Sequence, residues 1–213
     1  MKTKIDDGYC HYLVDGATFT GKFQIPVLLE QQVEIPEKLI PFDKRKIEDG
    51  NHQALHFFMH DVTFPQIITN ADRYIEDLRK FNFVISPDCS LYRDMPLCLQ
   101  ITNTYFNRAV GHYLQMRGLK VVADIRWGDE RSFEFCFEGV PKNSIVAIST
   151  HGCIRSDEDK HYFRMGLIAL LSKLHPKTVL VHGPMPDVVF GSLLEKTQFI
   201  HFDPYLKLKK GDR

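Results

Sequence analysis

The segment Lys120-Val-Val-Ala-Asp-Ile-Arg-Trp-Gly-Asp-Glu-Arg-Ser132 carries the densest chemistry in the chain, with five charged residues crowded around the single tryptophan, Trp127. Its apolar start reads as a buried strand. Alternate strand residues face opposite ways, so Asp124 and Arg126 share one face and Ile125 and Trp127 the other. A charge carried into a core is costly unless it is paired. The segment is therefore either an internal ion pair or the floor of a site. Two carboxylates with separated pKa values can serve as general acid and base. Asp124, held ionised by Arg126, and Glu130, left higher, are one such set, and Asp88 is a third candidate catalytic acid.

Two other chemistries are open. His60, Asp61, Asp88, His151, His182 and Asp203 all fall near expected strand ends. Mixed imidazole and carboxylate ligands suit a divalent metal that activates water, with Asp61, His182 and Asp203 as the candidate ligand set. No HExxH-type spacing supports it, and no other cofactor is indicated. The third chemistry is recognition of a phosphate or carboxylate by Arg126, Arg93 and Arg108, with Trp127 or Tyr92 stacking on a base. Asn107, Thr150 and His151 complete that ligand-binding set.

Each reading has a purely structural counterpart. A strand-end aspartate commonly caps the next helix. A histidine in an apolar run, such as His182 or His201, is commonly a satisfied core residue. Asp124 and Arg126 could do no more than fix the fold. Cys153, after His151-Gly, invites a nucleophile reading, but a small buried thiol is the commoner case.

These residues need a frame. After residue 50 the chain alternates regularly. Strands are expected at 56–61, 83–88, 120–126, 144–150, 178–182 and 199–203. Helices are expected at 66–80, 95–117, 130–138, 156–174 and 188–196. Asp94 is the expected N-cap of the long helix, Gly118 its stop, and Ser156 with Asp159 a capping box. Near-continuous apolar strands alternating with helices imply right-handed βαβ units and a parallel sheet. Polar residues sit at the C-terminal end of nearly every strand, which points to a small or incomplete β/α barrel. An open doubly wound sheet is the alternative, with its ligand at one crossover. In either case the site lies at the C-terminal strand ends.

One domain of 213 residues is expected: an irregular N-terminal segment 1–50, a β/α body 51–206 and a charged tail 207–213. Formal net charge is zero, which argues against a surface built for many duplex phosphates. Five cysteines without CxxC suit a reduced, cytoplasmic protein. Neither a signal peptide nor a membrane span is read. No GxGxxG or GxxxxGK[ST] occurs, so no dinucleotide fingerprint or P-loop is claimed.

Four blocks stand out together: Ser86-Pro-Asp-Cys-Ser-Leu-Tyr-Arg-Asp-Met-Pro-Leu, Asn103-Thr-Tyr-Phe-Asn-Arg-Ala, Arg126-Trp-Gly-Asp-Glu-Arg-Ser-Phe and Thr150-His-Gly-Cys. Over roughly residues 55–185 the chain resembles an uncharacterised family, domain of unknown function 4417, carried by phages, plasmids and other mobile elements. The resemblance assigns no catalytic residue. It implies a setting in a bacterial host, acting on nucleotides, nucleic acid or host defence. Three functions fit: an enzyme that binds and hydrolyses a nucleotide or phosphorylated ligand, a non-enzymatic accessory that inhibits a host defence protein or sequesters its ligand, and a replication accessory gripping single-stranded nucleic acid.

Overall fold

Seven parallel strands form one sheet whose spatial order repeats the chain order. The computed structural model describes residues 8–207. A short antiparallel pair, β1 (Phe19–Thr20) and β2 (Ile25–Pro26), precedes the sheet. The sheet then runs β3 (Lys38–Pro41), β4 (Gln53–His56), β5 (Phe83–Ile85), β6 (Val121–Asp124), β7 (Ile145–Ser149), β8 (Thr178–His182) and β9 (Gln198–Phe202). Neighbouring strands are parallel throughout. The order never reverses, so there is no switch point. The sheet curls into a half-barrel, as expected for an incomplete β/α barrel.

The two faces follow from period-two alternation. Leu39, Ala54, Ile85, Val122, Ala147, Leu180 and Phe202 pack together on the concave face. Ile40, Leu55, Val84 and Val121 pack outward against helices α1 (Pro65–Thr69), α2 (Ile75–Leu78) and α3 (Leu97–Met116). Ala123, Val146, Ile148, Val179 and Val181 do the same against α4 (Asp157–Leu174) and α5 (Asp187–Phe190). Across the gap between the edge strands, the Tyr205 hydroxyl, just past β9, donates to Glu48 Oε1, between β3 and β4, at 2.6 Å.

Several local expectations are corrected. Residues 38–41 lie in the segment read as irregular, yet they form the first strand of the sheet. Pro41 is tolerated there because β3 is an edge. The strand read at 56–61 is Gln53–His56, so its terminal histidine is His56, not His60. The helix read at 66–80 is broken at Asn70 (φ −152°, ψ 63°) into α1, a 3-10 turn Ala71–Tyr74 and α2, while Ile67, Ala71, Ile75 and Leu78 stay buried. Pro96, not Asp94, holds the N-cap position of α3, without a side-chain cap. The helix read at 130–138 is a single 3-10 turn, Glu130–Glu134. The capping box forms as read: Ser156 accepts from the Asp159 amide, and Asp159 accepts from the Ser156 amide. The charged tail, beyond Lys207, and the leading residues 1–7 lie outside the described residues. Among the described residues no helix is long and apolar enough to cross a membrane.

Candidate functional site

Strand β6 delivers Asp124 to the C-terminal end of the sheet, where α3 holds it. The Ser86 hydroxyl accepts from the Asp124 amide at 2.9 Å and donates to Asn107 Oδ1 at 2.7 Å. Asn107 Nδ2 donates to Asp124 Oδ2 at 3.1 Å. Next along α3, Arg108 is wholly buried. Its guanidinium donates to the carbonyls of Asp124 (2.9 Å), Cys136 (2.8 Å) and Glu138 (3.1 Å). Asn107 and Arg108, both read as ligand-binding, thus use their polar atoms inside the protein to fix the end of β6.

The partner of Arg126 is Asp88, at 3.7 Å, and not Asp124 as the sequence suggested. Asp88 and Asp124 are neighbours at the strand ends, and the charge of each bears on the other. The Oδ1 atom of each is buried and has no hydrogen-bond partner among the described residues. Burial pushes the Asp124 carboxyl well above its ordinary range. The Asp88 charge adds to this, while Arg126 and Arg108 oppose it. Burial also raises Asp88, where the Arg126 guanidinium opposes it and the Asp61 charge adds to it. This direction is opposite to the expectation that Arg126 holds Asp124 ionised. A carboxylate this deep cannot stay charged beside a second one. Glu130 is exposed on its 3-10 turn and does not reach the pair.

On its other side Arg126 Nη1 donates to Cys153 Sγ at 2.9 Å and lines a cleft of about 130 Å³. Tyr92, Arg93, Trp127, Cys153 and Tyr162 share that cleft. Arg93 lies 4.6 Å over the Tyr162 ring and is anchored by Glu158 (2.9 Å) and Asp159 (2.8 Å). Trp127 packs 4.9 Å from Phe163 and lies against Gly166 of α4, where an added Cβ would collide with the indole Nε1. Trp127 is thus a fixed wall, and Tyr92 supplies an exposed ring at the rim. Burial raises the Cys153 thiol above its usual pKa, which weakens it as a nucleophile.

The other predicted residues are dispersed. Thr150 is fully buried, and its hydroxyl donates to the Pro184 carbonyl at 2.7 Å, tying the β7 and β8 loops together. Asp61 accepts from the Ser90 amide and hydroxyl at 3.0 and 2.7 Å. Asp203 faces Lys207 and His201. His182 Nδ1 lies 3.1 Å from Ser149 Oγ. Asp61, His182 and Asp203 do not converge. Among the described residues no group of three or more His, Cys, Asp or Glu is placed to hold a metal.

A second cavity, about 620 Å³, opens at the mouth of the half-barrel. His56, Phe58, His151 and His182 line its inner side. The His56 and His182 ring centroids are 4.6 Å apart, and His151 stands 5.8 Å from His182. Sequence reasoning missed His56. The signal was its place two residues before Phe58 in a period-two run, which puts both rings on one face.

The model of the family described as "Domain of unknown function (DUF4417)" matches residues 17–203. A "Gene 1 protein" of Mycobacterium phage L5 is 35% identical over 63% of this chain and 59% of its own length. Another "Gene 1 protein", of Mycobacterium phage D29, is 36% identical over 61% of this chain and 48% of its own. The chain thus spans about half the length of the curated relatives it matches. No solved structure matches.

Proposed function

The chain belongs to the DUF4417 family, and we propose that it binds a phosphorylated ligand, a nucleotide foremost, in the Arg126 cleft and hydrolyses it. The observation that carries the reading is the pair of buried carboxyls, Asp88 and Asp124, beside Arg126, each with a buried oxygen that no described residue satisfies. A single proton on two carboxyls supplies an acid and a base at one pH.

Arg126 would hold the phosphoryl oxygens, aided by Arg93 at the rim. The cleft admits a group the size of a phosphate, which leaves a base to lie over the exposed Tyr92 ring. Asp88 is the more accessible acid, 6% exposed against 1% for Asp124. It would take a proton from the attacking water. With Asp124 beside it the pair would return one proton to the departing oxygen, so the proton count of the two carboxyls is unchanged over a cycle. For a relative of phage proteins such chemistry would act in an infected host, where either cleavage or simple sequestration of a nucleotide signal would serve a mobile element.

The test is a thermal-shift and hydrolysis screen over nucleotides. A ligand of the folded state raises the melting temperature. Arg126→Lys should lose the shift while keeping the fold. Asp88→Asn should keep the shift and lose cleavage. A shift without cleavage would reduce the reading to sequestration, and no shift with any nucleotide would end it.

A further inference from the structure

We propose that the cavity at the mouth of the half-barrel is a second binding site, for an oxyanion (the carboxylate or phosphate of a small ligand), with the His56 Nε2–H as its buried donor and Lys44 and Lys207 at its rim.

The tautomer of His56 is fixed by the backbone. Its Nδ1 accepts the Phe58 amide at 3.0 Å, so the ring proton of the neutral form sits on Nε2. Burial, then the nearby His182 and His151, hold His56 neutral. Its Nε2 is fully buried and has no partner among the described residues. An orphaned buried donor is costly, and proteins keep such groups where something outside the chain completes them. A neutral N–H can be completed only by an acceptor. That excludes an ammonium or guanidinium head group.

The surroundings agree. Phe58 stacks 5.0 Å from the His182 ring and continues the flat wall next to the donor. Tyr205 and Pro204 close the outer side. Lys44 and Lys207 supply the two ammonium groups, and both are held in place by one carboxylate each, Asp43 at 2.9 Å and Asp203 at 2.8 Å. Each of these lysines is matched by its carboxylate, so they offer ammonium donors at the rim without a net positive charge. The Ser149 hydroxyl lines the Arg126 cleft while its oxygen contacts His182 Nδ1, so one side-chain pair separates the two sites. The proposal stands independently of the chemistry assigned to the cleft.

The test reads the histidines themselves. Side-chain ¹⁵N–¹H spectra of the intact chain are recorded while inorganic phosphate is added, with acetate in a parallel arm and chloride at matched ionic strength as control. A saturable change at His56 Nε2 is expected in at least one oxyanion arm and not with chloride; the responding arm identifies the head group. His56→Phe should remove the saturable change at His182. Should that variant fail to fold, Lys44→Gln with Lys207→Gln should weaken the apparent affinity several-fold while leaving the His56 spectrum native. No saturable change in either arm, or one that chloride reproduces, overturns the site. So does an affinity that is unaltered in the double lysine variant.

Discussion

His56 and His182 belong to strands four steps apart in the sheet, yet their rings lie 4.6 Å from each other. On a flat sheet the same two strands would be about 19 Å apart. The pair therefore measures the curl directly: the sheet bends far enough for β4 and β8 to touch side chain to side chain across the mouth.

That contact sets a dependence on acid. Burial, then His151 and His201, depress His182 to about 3, and His56 is also held well below its usual range. In the unfolded chain both titrate near about 6.5. Below that value the unfolded state gains protons that the folded state refuses, so stability is lost as pH falls. Each histidine contributes up to about 1.4 kcal/mol per pH unit. Denaturant unfolding of the wild type and His56→Phe between pH 7 and 5 should show the shallower slope in the variant. Equal slopes would mean that His56 is not buried neutral.

The Asp88–Asp124 pair acts in the opposite sense. Asp124 binds its proton more tightly folded than unfolded. Its contribution is present at acidic pH and declines as pH rises above about 4, the unfolded carboxyl value. Asp124→Asn keeps a donor toward Asp88 and an acceptor for Asn107 Nδ2, so it should fold. Relative to the wild type it should become more stable as pH is raised from 5 to 8, as read by urea midpoints. A constant difference across that range would contradict a raised Asp124 carboxyl.

Gly166→Ala places a Cβ against Trp127 Nε1. Crowding of this kind costs about 1–3 kcal/mol. Because Trp127 is the only tryptophan, its emission reports the cleft wall alone. A lowered melting temperature with a shifted emission maximum is expected. Unchanged emission would show that the ring does not rest on α4.

Arg108→Met removes a guanidinium that serves three backbone carbonyls. Breaking a buried, hydrogen-bonded charge costs about 3–5 kcal/mol. Loss of fold by circular dichroism, not a selective loss of ligand affinity, is the expected result.

Most of the fold was legible because its strands are uninterrupted apolar runs separated by caps and glycines. The runs at 144–150 and 178–182 could hardly be anything but buried strands. The first strand of the sheet escaped because Pro36 and Pro41 flank four residues, and proline normally argues against a strand. At the candidate site, the charge carried into a buried strand end was legible in the segment around Arg126, but the partner of Arg126 was not. Asp88 comes from the next strand end in the sheet, and only the β5–β6 register places it within reach of Arg126. Arg108 and Asn107 were noticed on α3, but a sequence cannot show that their polar groups turn onto atoms of the same chain.

The order of strands carries a consequence for how the molecule is made. Each strand from β4 onward pairs with the one synthesised just before it. Local pairing of this kind lets a chain gain structure while it is still leaving the ribosome. The contacts across the mouth, His56 with His182 and Glu48 with Tyr205 among them, must wait for the last strands to emerge. A nascent chain halted before β8 would carry the Arg126 cleft with its dyad already paired, but not the mouth cavity.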